Sequence, residues 1–155
     1  MNFLIFIPAR SGSKRVRNKN MYLVKGKPLI YYTLKFAKKL RANLEKSEIV
    51  ISSNNNKLLK YSLNFLKSKI KYQRPQSVSQ DGTTMEKTIL HFINSLKKKN
   101  KMPKYIILLQ PSSPFRSLAQ VLRAIKKIKF NKKISSIVSI SEPVEEPKDF
   151  IKKRK

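Results

Sequence analysis

Apolar residues recur along this chain in two alternating rhythms. Phe3-Leu4-Ile5-Phe6-Ile7, Ile49-Val50-Ile51 and Tyr105-Ile106-Ile107-Leu108-Leu109 are short continuous runs rich in β-branched or aromatic side chains, which predict buried strands. Between them the apolar spacing widens to three and four. Leu29, Tyr32, Phe36 and Leu40 share one face of a helix over 28–41, with Pro28 in the tolerated first turn. Leu58, Leu59, Leu63 and Leu66 do the same over 57–67, behind a Ser-Ser-Asn-Asn-Asn cluster able to cap the helix start. Met85, Ile89, Phe92, Ile93 and Leu96 mark a third helix over 83–99. Leu118, Val121, Leu122, Ile125 and Ile128 mark a fourth, starting at Ser117. Ile70-Lys71-Tyr72 predicts a brief strand before Arg74-Pro75, and Ile134 to Ile140 a last one. The 105–109 run is the most continuous and is expected mid-sheet, while Gly26-Lys27-Pro28 is read as the opening of the first helical pattern.

Strand and helix thus alternate nearly five times, which predicts an α/β fold: a Rossmann-like, mostly parallel sheet with helices on both faces. In such a sheet every strand-to-helix loop lies at the carboxyl edge, where ligands bind. The first of these loops, Ala9-Arg10-Ser11-Gly12-Ser13-Lys14-Arg15-Val16-Arg17-Asn18-Lys19-Asn20, mixes small residues with cations. Small residues let backbone N–H groups approach phosphate oxygens, and Arg10, Lys14 and Lys19 supply charge. Gly12 stands alone, and no second glycine is followed by Lys-Ser or Lys-Thr, so the loop is neither a Walker loop nor a dinucleotide fingerprint. A ligand with several phosphates fits it. Arg74-Pro75 and Gln110-Pro111-Ser112-Ser113-Pro114-Phe115-Arg116 follow later strands and fall on the same rim, with Gln110 expected to project into the cleft.

Composition narrows the classes. With no cysteine there is no disulfide framework and no thiolate metal site. No apolar run is long enough to span a bilayer and no signal-peptide pattern follows Met1, so no membrane partner and a cytoplasmic location are expected. His91, the one histidine, lies on a helix face with no second ligand and is read as structural. Before residue 142 the acids are Glu45, Glu48, Asp81 and Glu86, too scattered for a carboxylate metal site, so metal ligands stay unassigned. Against 8 acids stand 36 basic residues, a formal charge of +28, mostly lysine spread along the whole chain. Abundant Ile and Asn accompany the lysine, as an AT-rich genome would produce, while the charge also suits a polyanion partner; both readings stay open. Salt-sensitive, non-specific polyanion adhesion is expected under either. The 155 residues fit one nucleotide-binding α/β domain over 1–141, with the acid-rich 142–155 opening a further segment.

The three rim segments together resemble the acylneuraminate cytidylyltransferases, or CMP-sialic acid synthetases. Ile7-Pro8-Ala9-Arg10-Ser11-Gly12-Ser13-Lys14 with Asn18-Lys19-Asn20 is similar to that family's nucleotide loop. Arg74-Pro75 with Asp81 is similar to its second motif, Leu108 to Arg116 to its third, and Val138-Ser139-Ile140 with Glu142 and Pro147 to the strand and turn that follow. Ser11, Arg15 and Arg17 depart from the glycine, glycine and proline of many members. The resemblance implies a nucleotide-diphospho-sugar transferase fold lacking its C-terminal part. It implies transfer of CMP from CTP to a nine-carbon 2-keto acid sugar, with pyrophosphate released. Catalytic roles would fall to Arg10, Lys14 and Lys19, which hold and neutralise the triphosphate. Nucleotide binding would fall to Ala9, Arg10, Ser11, Gly12, Ser13, Lys14 and Asn20, with Arg74, Asp81, Thr83 and Thr84 recognising cytosine and ribose. Gln110 would face the sugar. The family also implies a homodimer and Mg2+. Its late aspartate ligands are not found in this chain, whose 142–155 would begin the dimerisation segment. The alternative expectation is a truncated, catalytically weak nucleotide- or polyanion-binding domain.

Overall fold

A computed structural model of the chain describes residues 2–12, 16, 18–67, 71–80, 82–98, 100 and 102–140. In chain order it contains β1 (Phe3–Pro8), a 3-10 turn (Lys19–Met21), β2 (Leu23–Val24), β3 (Lys27–Pro28), α1 (Leu29–Arg41), β4 (Ser47–Ser53) and α2 (Asn56–Leu66). There follow β5 (Lys71–Gln73), a second 3-10 turn (Gln76–Val78), α3 (Met85–Lys97), β6 (Tyr105–Leu108) and α4 (Leu118–Phe130). The main sheet runs β5-β4-β1-β6 with all pairings parallel. The order reverses at β1: the chain steps outward through β4 and β5, then returns to lay β6 on the other side of β1. That reversal is the topological switch point, and the crevice beyond the carboxyl ends of β1 and β6 is where such sheets take ligands.

The chain divides into two compact units, Met1–Leu118 and Ala119–Lys155. In the first, β1 is buried along its whole length. Its pleat sends Leu4 and Phe6 to one face, where they form a cluster with Val50 and Phe92 of α3. Phe92 stacks on Phe6 at 4.8 Å between ring centroids and meets Tyr72 edge-on at 4.9 Å. Ile5 and Ile7 point to the opposite face, which the successive right-handed crossovers cover with α1 and α2. Two helices on one face and one on the other realise the expected architecture. Asn55 caps α2, its Oδ1 accepting from the Leu58 N–H at 3.0 Å, as the polar cluster predicted.

Several expectations are corrected. Gly26-Lys27-Pro28 does not open a helix directly: Lys27–Pro28 pairs antiparallel with Leu23–Val24 in a hairpin, and α1 starts at Leu29. Lys25 (φ 48) and Gly26 (φ 71) both take left-handed backbone, the geometry of a two-residue hairpin turn. The third helix begins at Met85 because Thr84 is its cap. On that helix Thr88 is buried, whereas the expected Met85 and Ile93 are half-buried, as is Leu63 on α2. β6 is not mid-sheet among the described residues: it pairs with β1 alone and is half-buried throughout. Residues 134–140 form no strand, and Val138 and Ile140 stand 79% and 94% exposed. The two findings have one cause, since β-branched composition creates a strand only where a neighbour accepts its backbone hydrogen bonds. In the second unit the expected inward positions Val121, Leu122, Ile125 and Ile128 of α4 are half-buried, not fully buried, and Phe130 is exposed.

Candidate functional site

Three loops leave the carboxyl edge of the sheet, and side chains from the neighbouring strand ends organise each of them. The loop after β1 starts with the Ala9 N–H donating to the Ser52 carbonyl at 2.8 Å, which prolongs the β1–β4 ladder by one bond. Asn54, just past β4, then accepts from the Ser11 N–H at 2.9 Å and the Ser11 hydroxyl at 3.2 Å. The far end of the loop is tied back by the Asn20 Nδ2, which donates to the Arg10 carbonyl at 2.9 Å. Lys19 and Asn20 sit in the 3-10 turn behind Asn18, itself left-handed at φ 52. Gly12 is exposed within this loop. Arg10 reaches across the rim, its Nη1 donating to the Gln80 carbonyl at 3.1 Å.

Arg74 leaves β5 with its N–H on the Ser53 carbonyl at 2.9 Å and is only 5% exposed. Its Nε donates to the Ser52 hydroxyl at 3.1 Å and its Nη2 to the Ser52 carbonyl at 3.2 Å. Among the described residues no carboxylate pairs with it. Burial, and after it the nearby Arg10 charge, pull its pKa below the ordinary guanidinium range to about 10, with Tyr72 opposing the shift. Two guanidinium groups thus share one corner of the rim, a local concentration of positive charge suited to an anion.

The third loop continues β6 by one bond, the Leu109 N–H donating to the Phe6 carbonyl at 3.0 Å. Gln110 then opens a β-turn in which the Ser113 N–H returns to the Gln110 carbonyl at 3.1 Å, with buried Pro111 at the second position. Gln110 is exposed at the strand tip, as expected. Arg116 Nη2 also donates to the Gln110 carbonyl, while its guanidinium lies over the Phe36 ring at 5.9 Å. Burial lowers its pKa, and its Nη1 is buried with no hydrogen-bond partner among the described residues. Thr84 Oγ1 accepts from the Lys87 N–H at 3.2 Å and Thr83 donates its N–H to the Gln80 carbonyl at 3.2 Å, so the start of α3 faces the same edge.

Arg10, Arg74 and Gln110 therefore emerge at one edge of one sheet, and residues 4–154 match a family described as Cytidylyltransferase. The chain belongs to the cytidylyltransferase family. It is 31% identical over 144 residues to the CMP-N,N'-diacetyllegionaminic acid synthase of Legionella pneumophila, covering 91% of this chain and 58% of the relative. It is 30% identical over 141 residues to the N-acylneuraminate cytidylyltransferase of Escherichia coli, covering 89% of this chain and 31% of the relative. Among solved structures, a CMP:2-keto-3-deoxy-manno-octonic acid synthetase complexed with CTP shares the fold at a TM-score of 0.58 and 17% identity, over 85% of this chain and 49% of that one. This cytidylyltransferase chain thus spans about half or less of the proteins it matches.

Of the site residues expected in this cytidylyltransferase, the structure gathers Ala9, Arg10, Ser11, Gly12, Lys19, Asn20, Arg74, Thr83, Thr84 and Gln110 on the carboxyl edge. Ser13, Lys14 and Asp81 lie outside the described residues. Thr84 differs in one respect, because its hydroxyl is committed to capping α3. Ser52, Asn54, Gln80 and Arg116 were missed. The Ser-Ser-Asn-Asn-Asn run signals only a helix cap in the sequence, yet it ends the strand beside β1 and so meets the loop after β1. The described residues offer no fit for a resident Mg2+. No group of three His, Cys, Asp or Glu comes together among them. Glu45 and Glu48 lie at the amino-terminal end of β4, away from the rim, and Glu86 sits in the first turn of α3.

Proposed function

We propose that this chain is the nucleotide-binding part of a cytidylyltransferase that moves the CMP group of CTP onto an acidic sugar and releases pyrophosphate. The observation that carries the reading is the Arg10–Arg74 corner on the carboxyl edge of the sheet, where two guanidinium groups stand close together. The triphosphate lies along the loop after β1, held by the backbone N–H groups of Arg10 and Gly12 and by the side chains of Arg10, Lys14 and Lys19. Arg74 and the 81–84 turn hold cytidine, and Gln110 orients the acceptor. The sugar's anomeric oxygen attacks the α-phosphorus, the bond to the β-phosphate oxygen breaks, and the hydroxyl proton is released. Such transfers depend on alignment and on neutralising charge as it shifts to the leaving group, which the rim cations supply. The acceptor is a nine-carbon 2-keto acid sugar, a class suggested by the names of the N-acylneuraminate and legionaminic acid relatives. By the same family likeness the working assembly is a cytoplasmic homodimer; among the described residues no helix is long and apolar enough to cross a membrane.

Calorimetric titration with CTP, against ATP and UTP, tests recognition. Pyrophosphate release with sialic, legionaminic, pseudaminic and 3-deoxy-manno-octulosonic acids then tests the acceptor. Replacing Arg10 by Ala is expected to weaken CTP binding by about 2 kcal/mol, the scale for losing a charged hydrogen-bond partner. Unchanged affinity would remove Arg10 from the site, and absence of CTP binding by the parent chain would reject the reading.

A further inference from the structure

The outer face of the α1–α2 layer takes no part in the rim. Neither helix contains an Asp or Glu. Lys35, Lys38 and Lys39 are exposed on α1 at the spacing of a single helix face, Lys60 is exposed on α2, and exposed Lys67 follows α2 as its C-cap. Between the two ridges lies an aromatic floor, with Tyr31 meeting Phe65 edge-on at 5.3 Å between ring centroids. The lysines lean onto it: Lys38 Nζ is 5.9 Å from the Phe65 ring centre, and Lys27 Nζ is 5.9 Å from that of Tyr31. These contacts fix the stems over apolar surface and leave the ammonium groups in water.

The chemistry of the face selects the kind of partner. No large hydrophobic side chain of either helix is among the exposed ones. A protein partner needs a desolvated apolar anchor, and lysine is depleted from such interface cores. A row of solvated ammonium groups on two helices that carry no acid suits a repeating phosphate instead. We propose that the outer face of α1 and α2 binds the phosphodiester backbone of nucleic acid, without reading sequence. The distinction from general adhesion lies in place: the face, not the total charge, dominates.

The test is fluorescence anisotropy with a single-stranded oligothymidylate of twenty nucleotides, titrated across sodium chloride concentrations. Lys35, Lys38, Lys60 and Lys67 are changed together to Gln, and Lys46, Lys97, Lys98 and Lys104 form a control set of equal charge on neither α1 nor α2. Each lysine–phosphate contact contributes roughly 0.7 to the slope of log K against log salt for a single strand, so the face variant is expected to lose about 3 units of slope and the control under about 1. Affinity at 0.1 M salt falls at least tenfold more in the face variant than in the control. Equal losses in both sets overturn the proposal, as does displacement of the oligonucleotide by polyglutamate of matched charge at equal or lower concentration. A second face set with Lys39 in place of Lys38 spares the Phe65 contact, and thermal melts of all variants separate unfolding from lost binding. CTP affinity is a separate readout: none of these lysines lies on the carboxyl edge, so the proposed nucleotide site stands or falls independently.

Discussion

Arg74 concentrates the physics of the site in one side chain. With a folded-state pKa of about 10, below the ordinary guanidinium range, its charged form is disfavoured by the fold at every pH below about 10. The sign follows from proton counting. Above about pH 10 the unfolded chain still holds the proton that the folded one releases, so stability rises with pH as the buried charge is discharged. The wild-type chain is therefore expected to gain stability relative to Arg74→Met as pH increases from 9 to 11, read from paired urea titrations. At pH 7, Arg74→Met removes a buried charge together with its bonds to Ser52. These effects oppose one another, so the melting temperature should move by only a few degrees. CTP affinity should fall at least tenfold, because the anion is what gives the charge its use. A large fall in melting temperature with CTP binding intact would make Arg74 a structural residue. The Arg-Pro pair after a short strand marked this position in the sequence. Its burial was not legible, because the acceptors come from Ser52, 22 positions earlier on the neighbouring strand.

Elements whose signals are local were readable, and those that depend on a neighbour were not. Asn55 announced the start of α2 because its side chain and the orphan amide it satisfies lie three residues apart. Asn55→Ala is expected to cost about 1 kcal/mol by urea denaturation, the usual worth of such a cap. The β2–β3 hairpin escaped notice because each strand is two residues long, below any detectable alternation, and Lys-Gly is a weaker turn signal than Asn-Gly. Tyr32 binds it to α1 through a 2.6 Å bond from its hydroxyl to the Val24 carbonyl, so the turn sets how the nucleotide loop is delivered to the helix. Gly26 has open space around a would-be Cβ, but its φ of +71 strains any other residue. Gly26→Ala should thus destabilise by about 1 kcal/mol through backbone conformation alone. Lys25→Asn should shift the urea midpoint upward, because Asn tolerates the left-handed backbone that Lys25 already adopts. The reading of 105–109 as mid-sheet and 134–140 as a strand failed together, since strand position is a property of pairing and not of composition.

At the scale of the whole molecule, alternation of apolar rhythms was enough to send three loops to one edge, because parallel crossovers leave little topological freedom; the central place of β1 comes from its pairing with both β4 and β6. Charge adds a consequence that no single contact contains. A formal charge of +28 on 155 residues repels itself in the folded state and attracts every polyanion in solution. Both effects travel through water and both are screened. Raising sodium chloride from 10 to 150 mM shortens the screening length from about 30 to about 8 Å. The melting temperature should therefore rise by a few degrees over that interval, as lysine–lysine repulsion fades. CTP affinity should fall over the same interval, because the field that gathers a tetra-anion at the rim fades with it. Opposite trends from one variable are the signature of long-range charge. If stability and CTP affinity both stay flat, the lysine excess acts only as a solvated coat, and the rim binds nucleotide through Arg10, Arg74 and its backbone amides alone.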